Sequence, residues 1–111
     1  MQTSIVSNPS LTTNLGTAIS TILPTPSAST YQIVSGITLC NKTNAAVTVN
    51  VTCYNGTTDV YLAYQQTIGA YDTMTLGGDF FKAAITPGFS LRALCNTASA
   101  VDVCVFYLTY S

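Results

Sequence analysis

From residue 31 onward, apolar and polar residues alternate with the two-residue period of β-strands. Residues 46–54 are the plainest case. Val47, Val49, Val51 and Cys53 fall on one side and Thr48, Asn50, Thr52 and Tyr54 on the other. The strand before it, residues 31–40, is expected to put Ile33, Ile37 and Leu39 on one face, and Asn41-Lys42-Thr43-Asn44 forms a polar turn. Asn55-Gly56 is a hairpin signal because both residues tolerate positive φ. The strand over 59–66 then pairs back, with Val60, Leu62 and Tyr64 opposite Tyr61 and Ala63. Gly69 breaks the pattern before a strand over 71–76, and Gly77-Gly78 makes a flexible corner. Residues 79–85 read equally as a helical turn or a strand. Thr86-Pro87-Gly88 is a turn by its chemistry, after which Phe89, Leu91, Ala93 and Cys95 line one face.

The last strand, residues 100–110, is apolar on both sides. Val101, Val103, Val105 and Tyr107 face one way, and Cys104, Phe106, Leu108 and Tyr110 the other. Such a strand is central in its sheet or covered by a neighbouring subunit. Seven or eight short strands with a turn about every ten residues predict an all-β fold, a single antiparallel β-sandwich or jelly roll. Residues 1–30 differ, being dense in Ser, Thr, Asn and Pro. Residues 17–23 admit one strand, and Pro24-Thr25-Pro26 then favours extended backbone. The division expected is an extended N-terminal arm over 1–30 and a β-sandwich domain over 31–111.

Composition narrows the function more than the fold. Only 6% of the chain is charged, three basic and four acidic residues among 111, where soluble surfaces usually carry roughly 25–35% charge. The outer surface must be mostly Thr, Ser, Asn and Tyr, which packs against another neutral protein at little desolvation cost. That is the surface of a building block of an assembly. A net charge of −1 with no basic stripe argues against nucleic acid as a partner. No run approaches the roughly 20 apolar residues of a membrane helix, so no membrane partner is expected. The N-terminus lacks the basic start and apolar stretch of a signal peptide, which predicts that the chain stays in the compartment that makes it.

Catalytic chemistry is scarce. The sequence has no His, Trp or Glu, and Asp59, Asp72, Asp79 and Asp102 stand isolated. The common nucleophile triads need a His base, and Gly77-Gly78 is no phosphate loop, so no enzyme activity and no cofactor are expected. The four cysteines, Cys40, Cys53, Cys95 and Cys104, lack the close pairs of a zinc site. They read first as reduced core residues, with one or two disulfides as the other reading. Sequons at Asn41, Asn50 and Asn55 are those an Asn- and Thr-rich chain produces by chance. Tyrosine is the enriched side chain. Tyr54, Tyr61, Tyr64, Tyr107 and Tyr110, with Pro24 and Pro26 of the arm, are the candidate interface residues. The same tyrosines also suit half-buried strand positions or stacking on sugar rings.

The stretch from Tyr31 to Tyr110 resembles small β-sandwich virion proteins of tailed bacteriophages. The likeness lies in a first strand ending Leu39-Cys40-Asn41, a Thr/Asn turn and the return strand Val47-x-Val49-x-Val51. It continues in Thr86-Pro87-Gly88-Phe89-Ser90-Leu91 and then Asn96-Thr97-Ala98-Ser99-Ala100-Val101-x-Val103. What the resemblance implies is a structural role in the virion: a capsid decoration (cement) protein on the capsid exterior, assembled in the host cytoplasm. It also implies the major capsid protein as partner, a homo-oligomer with a trimer favoured, and the N-terminal arm as a clamp reaching roughly 100 Å when extended. A neck or tail adaptor or a fibre base is the first alternative, and a carbohydrate- or receptor-binding module the second.

Overall fold

The computed structural model describes residues 5–77 and 84–110. Among these residues nine strands follow one another: β1 (Ile5–Thr12), β2 (Ser20–Leu23), β3 (Tyr31–Asn41), β4 (Val47–Tyr54), β5 (Asp59–Ile68), β6 (Thr73–Gly77), β7 (Ala84–Ile85), β8 (Ser90–Cys95) and β9 (Val101–Tyr110). They pair antiparallel in two sheets, β1-β9-β3-β6 and β2-β8-β4-β5, and β7 pairs with β3 at Gln32 and Ile33, beyond the end of β6. Apart from the β4–β5 hairpin and the β6–β7 step, strands consecutive in sequence thus cross between layers in the interleaved order of a jelly roll, the all-β sandwich expected.

The core is made by the strands whose alternation is cleanest. Val47, Val49 and Val51 of β4 lie against β8, with Val49 opposite Cys95 and Val51 opposite Ala93. Facing them from the other sheet are Val101, Val103 and Val105 of β9 and Ile37 and Leu39 of β3. Each such buried side chain stabilises the fold by about 1.5–3 kcal/mol relative to an exposed one. The turns keep their expected chemistry. The Oδ1 of Asn55 accepts the N–H groups of Thr57 and Thr58, and Gly56 takes φ 94°, so β4 and β5 meet as a hairpin with Tyr54 opposite Asp59.

Four sequence expectations change. In β3 the inward residue is Val34, and Ile33 turns to the half-buried outer side. A bulge against β9 between Val34 and Gly36 inserts one residue and inverts the alternation beyond it. In β5, bulges opposite Val49–Thr52 leave Ala63 and Ile68 buried but Val60 exposed. Phe89 sits outside the core, in the turn its N–H closes on the Thr86 carbonyl, and β8 starts one residue later. The fourth change concerns the N-terminal arm. Residues 5–12 and 20–23 are strands of the two sheets, Leu15, Ile22 and Leu23 belong to the core, and Pro26 is buried. The sandwich therefore takes in residues assigned to the arm, because a backbone ladder needs no apolar side-chain pattern. Of residues 79–85, Ala84 and Ile85 are strand, and the others, like Gly78, lie outside the described residues. Among the described residues no helix is long and apolar enough to cross a membrane.

Candidate assembly interface

Because directly opposed residues in an antiparallel sheet share a face, the register shows what the β1-β9-β3-β6 sheet turns outward. With Val101, Val103, Val105 and Tyr107 packed inward, β9 sends Cys104, Phe106, Leu108 and Tyr110 outward. Opposite them stand Leu11 and Pro9 of β1 on one side, and Thr38, Gly36, Ile33 and Tyr31 of β3 on the other. Tyr31 and Tyr110 stack with ring centroids 5.0 Å apart and planes within 3°. Leu11 is 72% exposed and Phe106 46%. The result is an apolar outer face three strands wide.

Among the described residues, its only charges lie at the corner where β3 and β9 meet the loop after β1. There Lys42 Nζ stands 3.0 Å from Asp102 Oδ1 and also donates to Asn14 Oδ1. The Asn14 N–H, donating to Asp102 over 2.9 Å, and the Lys42 ammonium hold the Asp102 carboxyl below the usual carboxylate range. Asp102 is therefore ionised at neutral pH and lies against the Lys42 ammonium.

The opposite sheet is built differently. Its outer side carries Thr48, Asn50, Arg92 and the covered Thr52, with Leu94 opposite Asn50 and Tyr61 opposite Thr52. Arg92 forks onto both oxygens of Asp59, with Nε to Oδ1 at 3.0 Å, and Thr52 Oγ1 donates to the same carboxylate over 2.7 Å. The Arg92 hydrogen bond, followed by that from Thr52, outweighs partial burial and lowers the Asp59 pKa. The guanidinium lies 3.8 Å above the Tyr54 ring. One side of the sandwich is thus centred on a polar cluster hydrogen-bonded within itself, with Leu94 and Tyr61 beside it, and the other is predominantly apolar.

The sequence-derived candidates divide between these surfaces. Tyr110 belongs to the apolar face. Tyr107 points inward and packs on the core. Tyr54 is half-buried beneath Arg92. Tyr61 and Tyr64 form an exposed edge-to-face pair on β5, 4.7 Å between centroids, beside a cleft of about 400 Å³ lined by Leu62, Met74 and Leu76. Pro24 is exposed and Pro26 buried. Leu11, Tyr31 and Phe106, the most exposed members of the apolar face, were not among the candidates. The two-sided apolarity of β9 signalled Phe106, whereas nothing near Leu11 in its Ser/Thr-rich stretch did.

All four cysteines are free thiols, but only Cys95 is fully buried, donating to the carbonyls of Leu15 and Thr97. Cys53 packs against the core, while Cys40 and Cys104 are half-buried on the apolar face, a departure from four core positions. Burial pushes the Cys53 and Cys104 thiols up, so both stay protonated at neutral pH. Among the described residues no group of three or more cysteine and acidic side chains is placed to hold a metal. The side chain of the sequon residue Asn41 is buried and fully engaged in hydrogen bonds.

No protein-family model and no curated protein matches this chain. Solved structures do. A chain of infectious bursal disease virus, Gx strain, superposes with TM-score 0.56 at 11% identity over 96% of this chain, which spans only 32% of that longer one. A chain of the cyanophage Pam1 capsid asymmetric unit matches with TM-score 0.50 at 19% identity, covering 96% of this chain and 83% of its own. A subunit of the Bacillus endospore appendages, described as disulfide-linked pili, matches with TM-score 0.50 at 14% identity over 99% of this chain and 88% of that one. At these identities the likeness is one of fold, and the fold is the jelly roll that these viral and appendage subunits share.

Proposed function

We propose that this chain is a non-enzymatic structural subunit of a virion, a capsid decoration (cement) protein that binds and stabilises the capsid lattice. The observation that carries the reading is the two-faced sandwich. Leu11, Tyr31, Phe106 and Tyr110 form an uncharged apolar surface, and the opposite sheet satisfies its own polar groups. A protein that seals a lattice needs one side that gains by losing water and another that stays wetted. The capsid chains that share its fold support the same role. On this reading the major capsid protein is the partner, the exterior of the capsid is the location, and copies associate, with a trimer as the favoured state.

A second reading, a fibre or appendage subunit, draws on the nearly full-length match to the Bacillus appendage chain and on the outward Cys40 and Cys104. Counting copies per particle separates the readings. Quantitative mass spectrometry of purified particles, against the major capsid protein, is expected to find copies in proportion to the lattice. A handful per particle would move the chain to a neck or fibre base. Absence from particles would overturn the virion role and favour the appendage reading or glycan binding by Tyr61 and Tyr64.

A further inference from the structure

We propose that β1 is an exchangeable strand, with β1 of one copy completing the β9 edge of a second copy of this chain. The inference rests on the reading of the chain as a self-associating structural subunit. The first observation is what β1 leaves out of the core. Of the β1 side chains described, Pro9 and Leu11 are exposed and Ser10 and Thr12 half-buried, and none of these four belongs to the buried core. Among the described residues, β1 is held by its backbone ladder to β9, running from Ile5 opposite Tyr110 to Thr12 opposite Val103, and by one bond from Ser10 Oγ to the Ile22 carbonyl.

The second observation is how abruptly the fixed body begins. The Leu15 N–H donates to the Val101 carbonyl over 2.7 Å, and its own carbonyl accepts from the Ser99 N–H. Asn14 is tied to both Asp102 and Lys42. Between this anchor and the strand lies exposed Thr13, so β1 can swing away there without disturbing the core.

The occupant of the vacated β9 edge is specified by the edge itself, since an identical β1 from another copy remakes every one of these bonds in the same register. Exchange then costs association entropy and hinge strain but no contact, the circumstance in which strand swapping is cheap. Contact between bodies supplies the gain. The hinge is short, so donor and acceptor meet near the Leu11–Cys104 end of the apolar face, which a lone copy leaves uncovered. The absence of any charged residue in β1 removes like-charge repulsion. Each copy gives one strand and takes one, so exchange closes into a ring or continues as a chain.

A cysteine at position 11 reads the exchange directly, because Leu11 stands opposite Cys104, and opposed Cβ atoms lie about 4.5–5.5 Å apart, close to disulfide reach. In the full chain carrying Cys40→Ser and Leu11→Cys, mild diamide oxidation is expected to give reduction-sensitive dimers and higher multiples on denaturing gels. Adding Cys104→Ser should abolish them. A bond formed only within single copies, identified by peptide mass spectrometry, would overturn the proposal. Light scattering on the unmodified chain reads it without any disulfide. Multimers that disappear on deletion of residues 1–12 are expected, and a monomer at every concentration refutes exchange. Neither readout depends on particles, so strand exchange and the virion role fail separately.

Discussion

Asn41 binds the lower end of the sandwich through one side chain. Its amide nitrogen donates to the carbonyls of Ala45, Ile68 and Gly69 at 2.8, 3.2 and 3.0 Å, two hydrogens shared among three acceptors. Its Oδ1 accepts the Thr43 N–H at 2.9 Å and the Thr43 hydroxyl at 2.7 Å. The end of β3, the β3–β4 turn and the β5–β6 turn therefore meet on a residue only 1% exposed. A buried polar group left without a partner costs about 1–3 kcal/mol, and Asn41→Ala strands several at once, some of which water can reach. The expected loss in stability is about 3 kcal/mol, read as a lower urea midpoint with unchanged slope. Lys42→Ala next door removes an exposed ion pair of the kind worth about 0–1 kcal/mol and should shift the midpoint little. Equal effects of the two substitutions would deny Asn41 this role. In the sequence Asn41 shows only as a turn residue and sequon, because its acceptors on β5 come from a distant segment.

Among the strands, legibility followed the side chains. β4, β8 and β9 were readable because one face of each is buried, which writes a two-residue period into the sequence. β1 was not, since the backbone ladder to β9 fixes it and its Ser, Thr and Pro residues carry no apolar rhythm, whereas β2 falls within the 17–23 stretch that admits a strand. The β3 bulge was equally hidden. Its effect on Ile33 and Val34 depends on the pairing with β9, and Ser35-Gly36 alone does not announce it. The same distinction separates two truncations. Among the described side chains, removing residues 1–12 takes away ladder bonds but no buried apolar residue, whereas removing 1–30 also deletes Leu15, Ile22 and Leu23, each at most 1% exposed. Those three side chains together are worth about 6 kcal/mol, comparable to the whole stability of many domains. The shorter truncation is expected to unfold cooperatively at a lower temperature, and the longer one to show no cooperative transition by calorimetry. Cooperative unfolding of the chain lacking 1–30 would restore the arm to its full sequence-predicted length.

At the scale of the whole molecule, the sequence foretold a neutral surface but not its division. A 6% charged composition and a strand apolar on both faces pointed to an assembly. Only the strand order shows that Leu11, Tyr31, Phe106 and Tyr110 share one side, while Arg92, Asp59, Thr52 and Tyr54 occupy the other. That division makes the docking face testable by substitutions equal in chemistry and opposite in position. Phe106→Asp places a carboxylate in the middle of the apolar face, and Thr48→Asp places the same group on the polar one. Both sites are open enough to accept the charge in the free protein, so thermal unfolding of the two variants should stay close to that of the original. Binding to particles stripped of this chain should diverge. Covering Phe106 is worth up to about 1.5–3 kcal/mol, and its replacement would leave a carboxylate desolvated against the partner, so Phe106→Asp is expected to bind at least tenfold more weakly. Thr48→Asp should remain within about twofold, a difference under about 0.4 kcal/mol on the scale where tenfold is 1.4. The reverse order of effects would make the polar sheet the docking side. Equal losses would place contact on the rim of the sandwich, where Tyr61 and Tyr64 stand.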